Sequence, residues 1–244
     1  MDLDMRTASL GAIVTANSWT TDVFDAYGID YCCRGSERLS DTCERLSIPL
    51  DLIADQLQSY VDHHASPRFS FDFWPIGLLA SYIERKHHRY VKTQIPLLVN
   101  LFKEALHEPS EQMDILFEVK RVFWKAAEDL LDHIQREERI LFPYLRKMEA
   151  NEEGDIPFAA PHFGTVRHSI INLFREHEKE GIWLQQIRDI TNNFSLPAQA
   201  GYWERLLFPQ LAAFEQDMKT HLHLENNILF PKALAVAEKV GAGA

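Results

Sequence analysis

The sequence predicts an all-α protein, an antiparallel four-helix bundle preceded by a small helical domain, and three observations predict it. Strand-like alternation is scarce. Four long helical stretches follow one another with short connections. A histidine–glutamate motif occurs twice, in two successive helix pairs.

The first helices are short: Leu10–Ala16, Thr20–Tyr27, Ser36–Leu46 and Leu50–His63. Gly28 stops the second and Pro49 opens the fourth, glycine suiting the position just past a helix end and proline its first turn. Residues 1–63 therefore read as a small helical domain. The stretch His64-Ala65-Ser66-Pro67-Arg68-Phe69-Ser70 breaks the periodicity, so 64–74 reads as a linker. Long helical segments follow at about 75–107, 110–149, 161–191 and 198–239, which assigns 75–244 to the bundle. Pro96, Pro143 and Pro231 lie inside these stretches, and each is expected to kink or end its helix.

The chain of 244 residues is 46% apolar, enough for a sizeable core. No apolar run approaches the ~20 residues that span a bilayer. Two acids in Met1-Asp2-Leu3-Asp4, with no basic stretch leading into an apolar one, do not make a secretory signal, and a cytoplasmic location is expected. The net charge of −11 argues against a nucleic-acid surface, which needs clustered bases. Cys32, Cys33 and Cys43 are too few and too oddly spaced for a disulfide framework.

The repeat carries the chemistry. His133–Pro143 and His221–Pro231 both read H-x-x-x-E-x-x-I-L-F-P, and the preceding helices carry His88 and His177. A helix turns about 100° per residue, so residues four apart lie about 40° apart on one face. His133 thus shares a face with Glu137, and His221 with Glu225. Leu130, Ile140 and Leu141 extend the first face, and Met218, Ile228 and Leu229 the second, so both faces are expected to look inward. Glu138, five residues after His133, is expected to point well away from it. His88 lies on the stripe Val91, Ile95, Leu98, Phe102, whereas His87 pairs with Gln94 on the polar side. His177 lies on the stripe Ile170, Leu173, Phe174, Leu184, with Gly181 leaving space one turn on. The remaining histidines (His63, His64, His87, His107, His162, His168 and His223) are assigned to the surface or to polar faces.

A single His-x-x-x-Glu is ordinarily a surface pair. Its duplication, the inward faces and the two upstream histidines point instead to a metal centre. Structural zinc takes four ligands, often thiolates, and calcium and magnesium take oxygen. Four imidazoles and two carboxylates suit a pair of irons, with two histidines on each and Glu137 and Glu225 bridging. Positions then remain for an oxo or hydroxo bridge and a small exogenous ligand. Manganese, or a mixed pair, suits the same donors.

On these residues the sequence resembles the iron-sulfur cluster repair di-iron proteins, a family within the haemerythrin-like folds. Asp30-Tyr31-Cys32-Cys33 is similar to that family's D-Y-C-C motif, His133–Pro143 to H-x-x-x-E-E-x-I-L-F-P, and Glu176-His177 to its E-H, with Thr191-Asn192-Asn193 downstream. His221–Pro231 is similar to H-x-x-x-E-N-N-x-L-F-P, and His88 falls where the family has its first ligand. The resemblance covers nearly the whole chain. It implies a haemerythrin-like bundle and a non-haem di-iron site of His88, His133, His177, His221, Glu137 and Glu225. It also implies a cytoplasmic protein, often a homodimer, whose clients are iron-sulfur proteins damaged by oxidative or nitrosative stress. The chain departs from the family at 149–170, where it is longer, and after Cys33, where Arg34-Gly35 replaces two glycines.

Cys32 and Cys33 are redox candidates, since a disulfide between neighbours is strained and labile and Arg34 favours thiolate. Redox sensing, transient iron or cluster binding and nitric oxide chemistry are the functional readings of the pair. Cys43 reads as packing. Three functions use the metal site: repair by supplying iron, reduction of nitric oxide or peroxide with external electrons, and reversible sensing of O2 or nitric oxide.

Overall fold

The computed structural model describes residues 3–64, 71–152, 165–196 and 198–240. The short helices are α1 (Leu10–Ala16), α2 (Thr21–Ala26), α3 (Leu39–Leu46) and α4 (Leu50–His63). Ser9 caps α1 by accepting from the Ala12 amide, and Gly28 takes the left-handed conformation (φ +64°) that a β-carbon disfavours. Part of the expected linker, 65–70, and much of the 149–170 region, 153–164 with His162, lie outside the described residues.

The bundle comprises α5 (Ile76–Ile83), α6 (Arg89–Ala105), α7 (Met113–Arg136), α8 (Phe142–Glu152), α9 (Val166–Ile190), α10 (Tyr202–Leu224) and α11 (Phe230–Lys239). Three of its four rods contain one π-helical turn: Glu84–His88 joins α5 to α6, Glu137–Leu141 joins α7 to α8, and Glu225–Leu229 joins α10 to α11. Helix α6 packs on α10 and α7 on α9, while α5, α8 and α11 close the other end. Among the described residues the only β pairing is one isolated bridge between Ser9 and Arg38.

The π turns explain two of the proline expectations and correct the third. Pro143 and Pro231 each stand two residues after the end of a π turn, where the wider coil relieves the clash of the ring with the carbonyl four residues back. Pro96 instead lies within an uninterrupted α6. The irregularity in that rod sits upstream, at the histidines.

Two apolar clusters flank the middle of the bundle. One joins α6, α7, α9 and α10 to the small helices, with Leu10, Phe24, Tyr31, Phe102, Phe123 and Leu222 in a single buried cluster. The other joins α5, α8, α11 and the start of α9 around Leu79, Phe142, Ile170 and Phe230. The inward-facing expectation holds for Leu130, Leu141, Met218, Ile228 and Leu229, but Ile140 is 46% exposed. Each π turn inserts a residue and shifts the helical phase. Around Ile228 the small helix α1 covers that turn, and among the described residues no helix covers Ile140 in the same way.

Candidate metal centre

The π turns carry the centre. His88 ends the first, and Glu137 and Glu225 begin the second and third. His133, His177 and His221 project from α7, α9 and α10. All six sequence-predicted side chains are buried, at 1% exposure or less, between the two apolar clusters.

They form two interlocking groups, His88–Glu137–His221–Glu225 and His133–Glu137–His177–Glu225, each with donor atoms within 4.8 Å of one another. Both carboxylates belong to both groups. Glu137 Oε2 is 3.4 Å from His88 Nε2 and 3.2 Å from His133 Nε2. The two Glu225 oxygens are 3.0 Å from His221 Nε2 and 3.3 Å from His177 Nε2. Yet none of the four oxygens of the Glu137 and Glu225 carboxylates has a partner in hydrogen-bond geometry. Buried carboxylates without hydrogen bonds are costly unless a cation compensates them.

The imidazoles are oriented for the same purpose. His88 Nδ1 donates to Glu138 (3.1 Å), His133 Nδ1 to Glu176 (2.8 Å) and His177 Nδ1 to Asn226 Oδ1 (2.6 Å). In these three rings Nδ1 thus carries a proton and Nε2 is turned to the centre, whereas His221 Nδ1 has no hydrogen-bond partner among the described residues. His88 and His221 face each other Nε2 to Nε2 at 3.1 Å, as do His133 and His177. Two lone pairs at that distance repel unless a proton or a metal cation sits between them. Two nitrogens at about 2.1 Å from one metal, roughly at right angles, stand about 3 Å apart. The donor set fits metal binding on this geometry.

Charge says the same. Burial opposes protonation of His88, but Glu137, Glu138 and Glu225 outweigh it and push its pKa up to about 11. Burial and the charge of Glu225 raise Glu137, but His133 and His88 leave it below the ordinary carboxylate value. Burial also opposes ionisation of Glu225, and His221, His88 and His177 hold it well below that value. Burial brings His177 down to about 4. The centre is a field of negative charge that must hold positive charge.

Several residues around it were misplaced from sequence. Glu138 does turn away from His133, but it reaches across to His88 and is held there by Lys92. His87 is not on a polar surface: it is buried, donates to Asp217 at 3.1 Å and stacks on the His221 ring at 5.9 Å. His223 is also buried, against Tyr31, and accepts from Asn227 Nδ2. Phe174, placed on the buried stripe of α9, is 36% exposed. The repeat could have indicated the orienting residues. Glu138 and Asn226 each follow a shared carboxylate, and each holds the histidine of the helix before its own motif, His88 and His177. Glu176 and His87 likewise each precede a histidine, and each contacts the other ring of its metal group. Glu180 had no such signal. It is buried 3.7 Å from His133 Nδ1, and burial raises its carboxyl to about 7.

The haemerythrin HHE cation-binding domain matches residues 80–233, more than half of the chain and all six centre residues. The chain belongs to this family. Residues 6–60 match a second domain, ScdA_N, of unknown function. Two Yersinia proteins, from Y. pseudotuberculosis serotype IB and Y. pestis strain Pestoides F, are similar along nearly their whole length. Each is 28% identical over 238 residues, covering 95% of this chain and 99% of its own, and each is named iron-sulfur cluster repair protein YtfE. The resemblance drawn from the motifs is borne out, and the buried histidines and glutamates suit the family's cation site. No helix among the described residues is long and apolar enough to cross a membrane.

Proposed function

We propose that this haemerythrin-family protein holds two non-haem iron ions and supplies iron to damaged clusters of other iron-sulfur proteins. The observation that carries the reading is the pair of histidine–glutamate groups sharing both carboxylates. Each iron would take two histidines, His88 with His221 and His133 with His177, with Glu137 and Glu225 bridging. Mixed nitrogen and oxygen donors suit iron, and they hold iron(II) less tightly than later divalent metals, which favours release. Manganese is accommodated by the same donors.

The protein's own part is to present four imidazoles to the centre, three held by Glu138, Glu176 and Asn226 and His221 by stacking on His87, and to keep bulk water out with Phe142 and Phe230, which stack on His88 and His177. A recess of about 210 Å³ beside His133 is lined by four acids, Asp129, Asp132, Glu176 and Glu180, and two bases, Arg136 and Lys179, and its net negative lining would suit an entering cation. The relatives' name supports the repair reading. The same reading makes the protein cytoplasmic and homodimeric, the latter tested by light scattering in solution.

The test adds reduced, iron-loaded protein to an iron-sulfur dehydratase damaged by nitric oxide or peroxide, anaerobically and with sulfide present. Recovered activity should rise as iron leaves the protein, and a His133→Ala, His221→Ala variant should give none. Equal recovery with that variant, or with the same iron held by a chelator, overturns the reading. Turnover of nitric oxide or peroxide with a reductant, or reversible gas binding without loss of iron, would replace it with the enzyme or sensor function.

A further inference from the structure

Among the described residues, one other group of metal-type donors converges. Asp30, Cys32 and Cys33 present a carboxylate oxygen and two sulfurs within 4.8 Å of one another. We propose that these three residues form a separate, thiolate-rich site for one thiophilic divalent cation, outside the buried centre.

The sulfur spacing is the first support. Cys32 Sγ and Cys33 Sγ are 3.8 Å apart, and all three cysteines are free. A disulfide requires about 2.05 Å, whereas two thiolates on a tetrahedral ion with bonds of about 2.3 Å stand about 3.8 Å apart. The carboxylate is fixed beside them. Asp30 Oδ1 accepts from the backbone amides of Cys32 (3.1 Å) and Cys33 (2.9 Å) and from the Cys32 thiol (3.1 Å).

Access and charge fit as well. Cys33 is half-buried and lines two openings, a cavity of about 390 Å³ on one side and a cleft of about 910 Å³ on the other. Helix α9 makes room for it: a β-carbon on Gly181 would stand 3.0 Å from Cys33 Sγ. A fourth ligand, from solvent or from an acceptor, has space to enter. The basic residues of the cavity wall are engaged elsewhere, Arg34 with Glu37, Arg188 with Glu215 and Lys219 with Asp25. Binding breaks two S–H bonds, forms two metal–sulfur bonds and sends two protons to solvent, with no electron transfer.

The site is one side chain from the buried centre. Asn226 Nδ2 donates to the Cys32 carbonyl while its Oδ1 accepts from His177, and Cys33 Sγ lies 3.4 Å from the His177 carbonyl oxygen. The proposal stands whichever metal the buried centre holds, because its readout is specific to sulfur.

The experiment titrates reduced, metal-loaded protein with cobalt(II) anaerobically. One further cobalt per chain should bind, with thiolate-to-cobalt charge-transfer absorption in the near ultraviolet and two protons released. Zinc should displace it. Cys33→Ser should abolish most of that absorption, Asp30→Asn should weaken binding by about tenfold or more, and Cys43→Ser should change neither. Cys33 is the accessible partner, so Cys33→Ser keeps the test decisive if Cys32→Ser fails to fold. Absence of the absorption at excess cobalt, its survival in Cys33→Ser, or its loss in Cys43→Ser overturns the proposal.

Discussion

Replacing Glu138 separates the residues that hold metal from those that aim the holders. Glu138 Oε1 accepts from His88 Nδ1 at 3.1 Å, and Lys92 pins the carboxylate from outside. Glu138→Leu removes the acceptor, so the His88 ring loses both its orientation and some of its basicity. Outer partners of metal-bound histidines are worth about 10–100-fold in affinity, or about 1.4–2.8 kcal/mol at 1.4 kcal/mol per tenfold. Glu138→Gln keeps an acceptor oxygen without the charge and should lose less. Glu137→Leu is of another order, because its carboxylate approaches His88 and His133 and belongs to both donor groups; both ions should be lost. The Lys92–Glu138 pair is half-exposed, so Glu138→Leu should cost well under about 1 kcal/mol of stability from that source. The assay is iron retained against a graded chelator, with circular dichroism as the folding control. Unchanged retention in Glu138→Leu, or a loss equal to that of Glu137→Leu, refutes the division of roles.

Cys32→Ser with Cys33→Ser should leave the iron of the buried centre bound, since six donors are present without sulfur; iron loss on metal analysis would make a thiolate a ligand of that centre. Arg188→Met should destabilise the fold by about 3 kcal/mol or more, because Arg188 forks onto the buried Glu215 carboxylate, and urea unfolding measures it. Acid should act through Glu138. His88, and then Lys92 against partial burial, hold its carboxyl at about 2, below the unfolded value of about 4.3. Its stabilising contribution is present above that unfolded value and is lost as pH falls toward 2. The stability gap between metal-free wild-type and Glu138→Gln protein should therefore close over that range in acid-unfolding curves, and a gap that widens there would contradict it.

The six centre residues were legible because helical spacing places His-x-x-x-Glu on one face, and because a duplicated motif implies two facing hairpins. The bundle was legible for the same reason, through its long apolar stripes. The misplacements of His87 and Ile140 lie at the π turns, which add a residue to the coil and shift the phase that a 3.6-residue period assumes. Nothing in the local sequence marks those turns except the prolines that follow two of them. His223 was misplaced for another reason. Its face of α10 is polar by pattern but is covered by Tyr31, from the segment between α2 and α3, and by Thr15 of α1, whose docking is a long-range contact. The role of Asn226 and Asn227 belongs here too. They donate to the carbonyls of Cys32 and Tyr31 and so fasten the cysteine segment to the bundle.

The measurement closest to the central claim is the metal content and magnetic state of protein produced in iron-replete medium, together with its Glu225→Leu variant. Glu225 stands in both donor groups, so the account predicts two iron ions per chain, coupled to each other in Mössbauer spectra, and loss of both in the variant. A single metal ion per chain, two uncoupled irons, or a variant that keeps one iron at full occupancy would contradict a centre built on shared carboxylates.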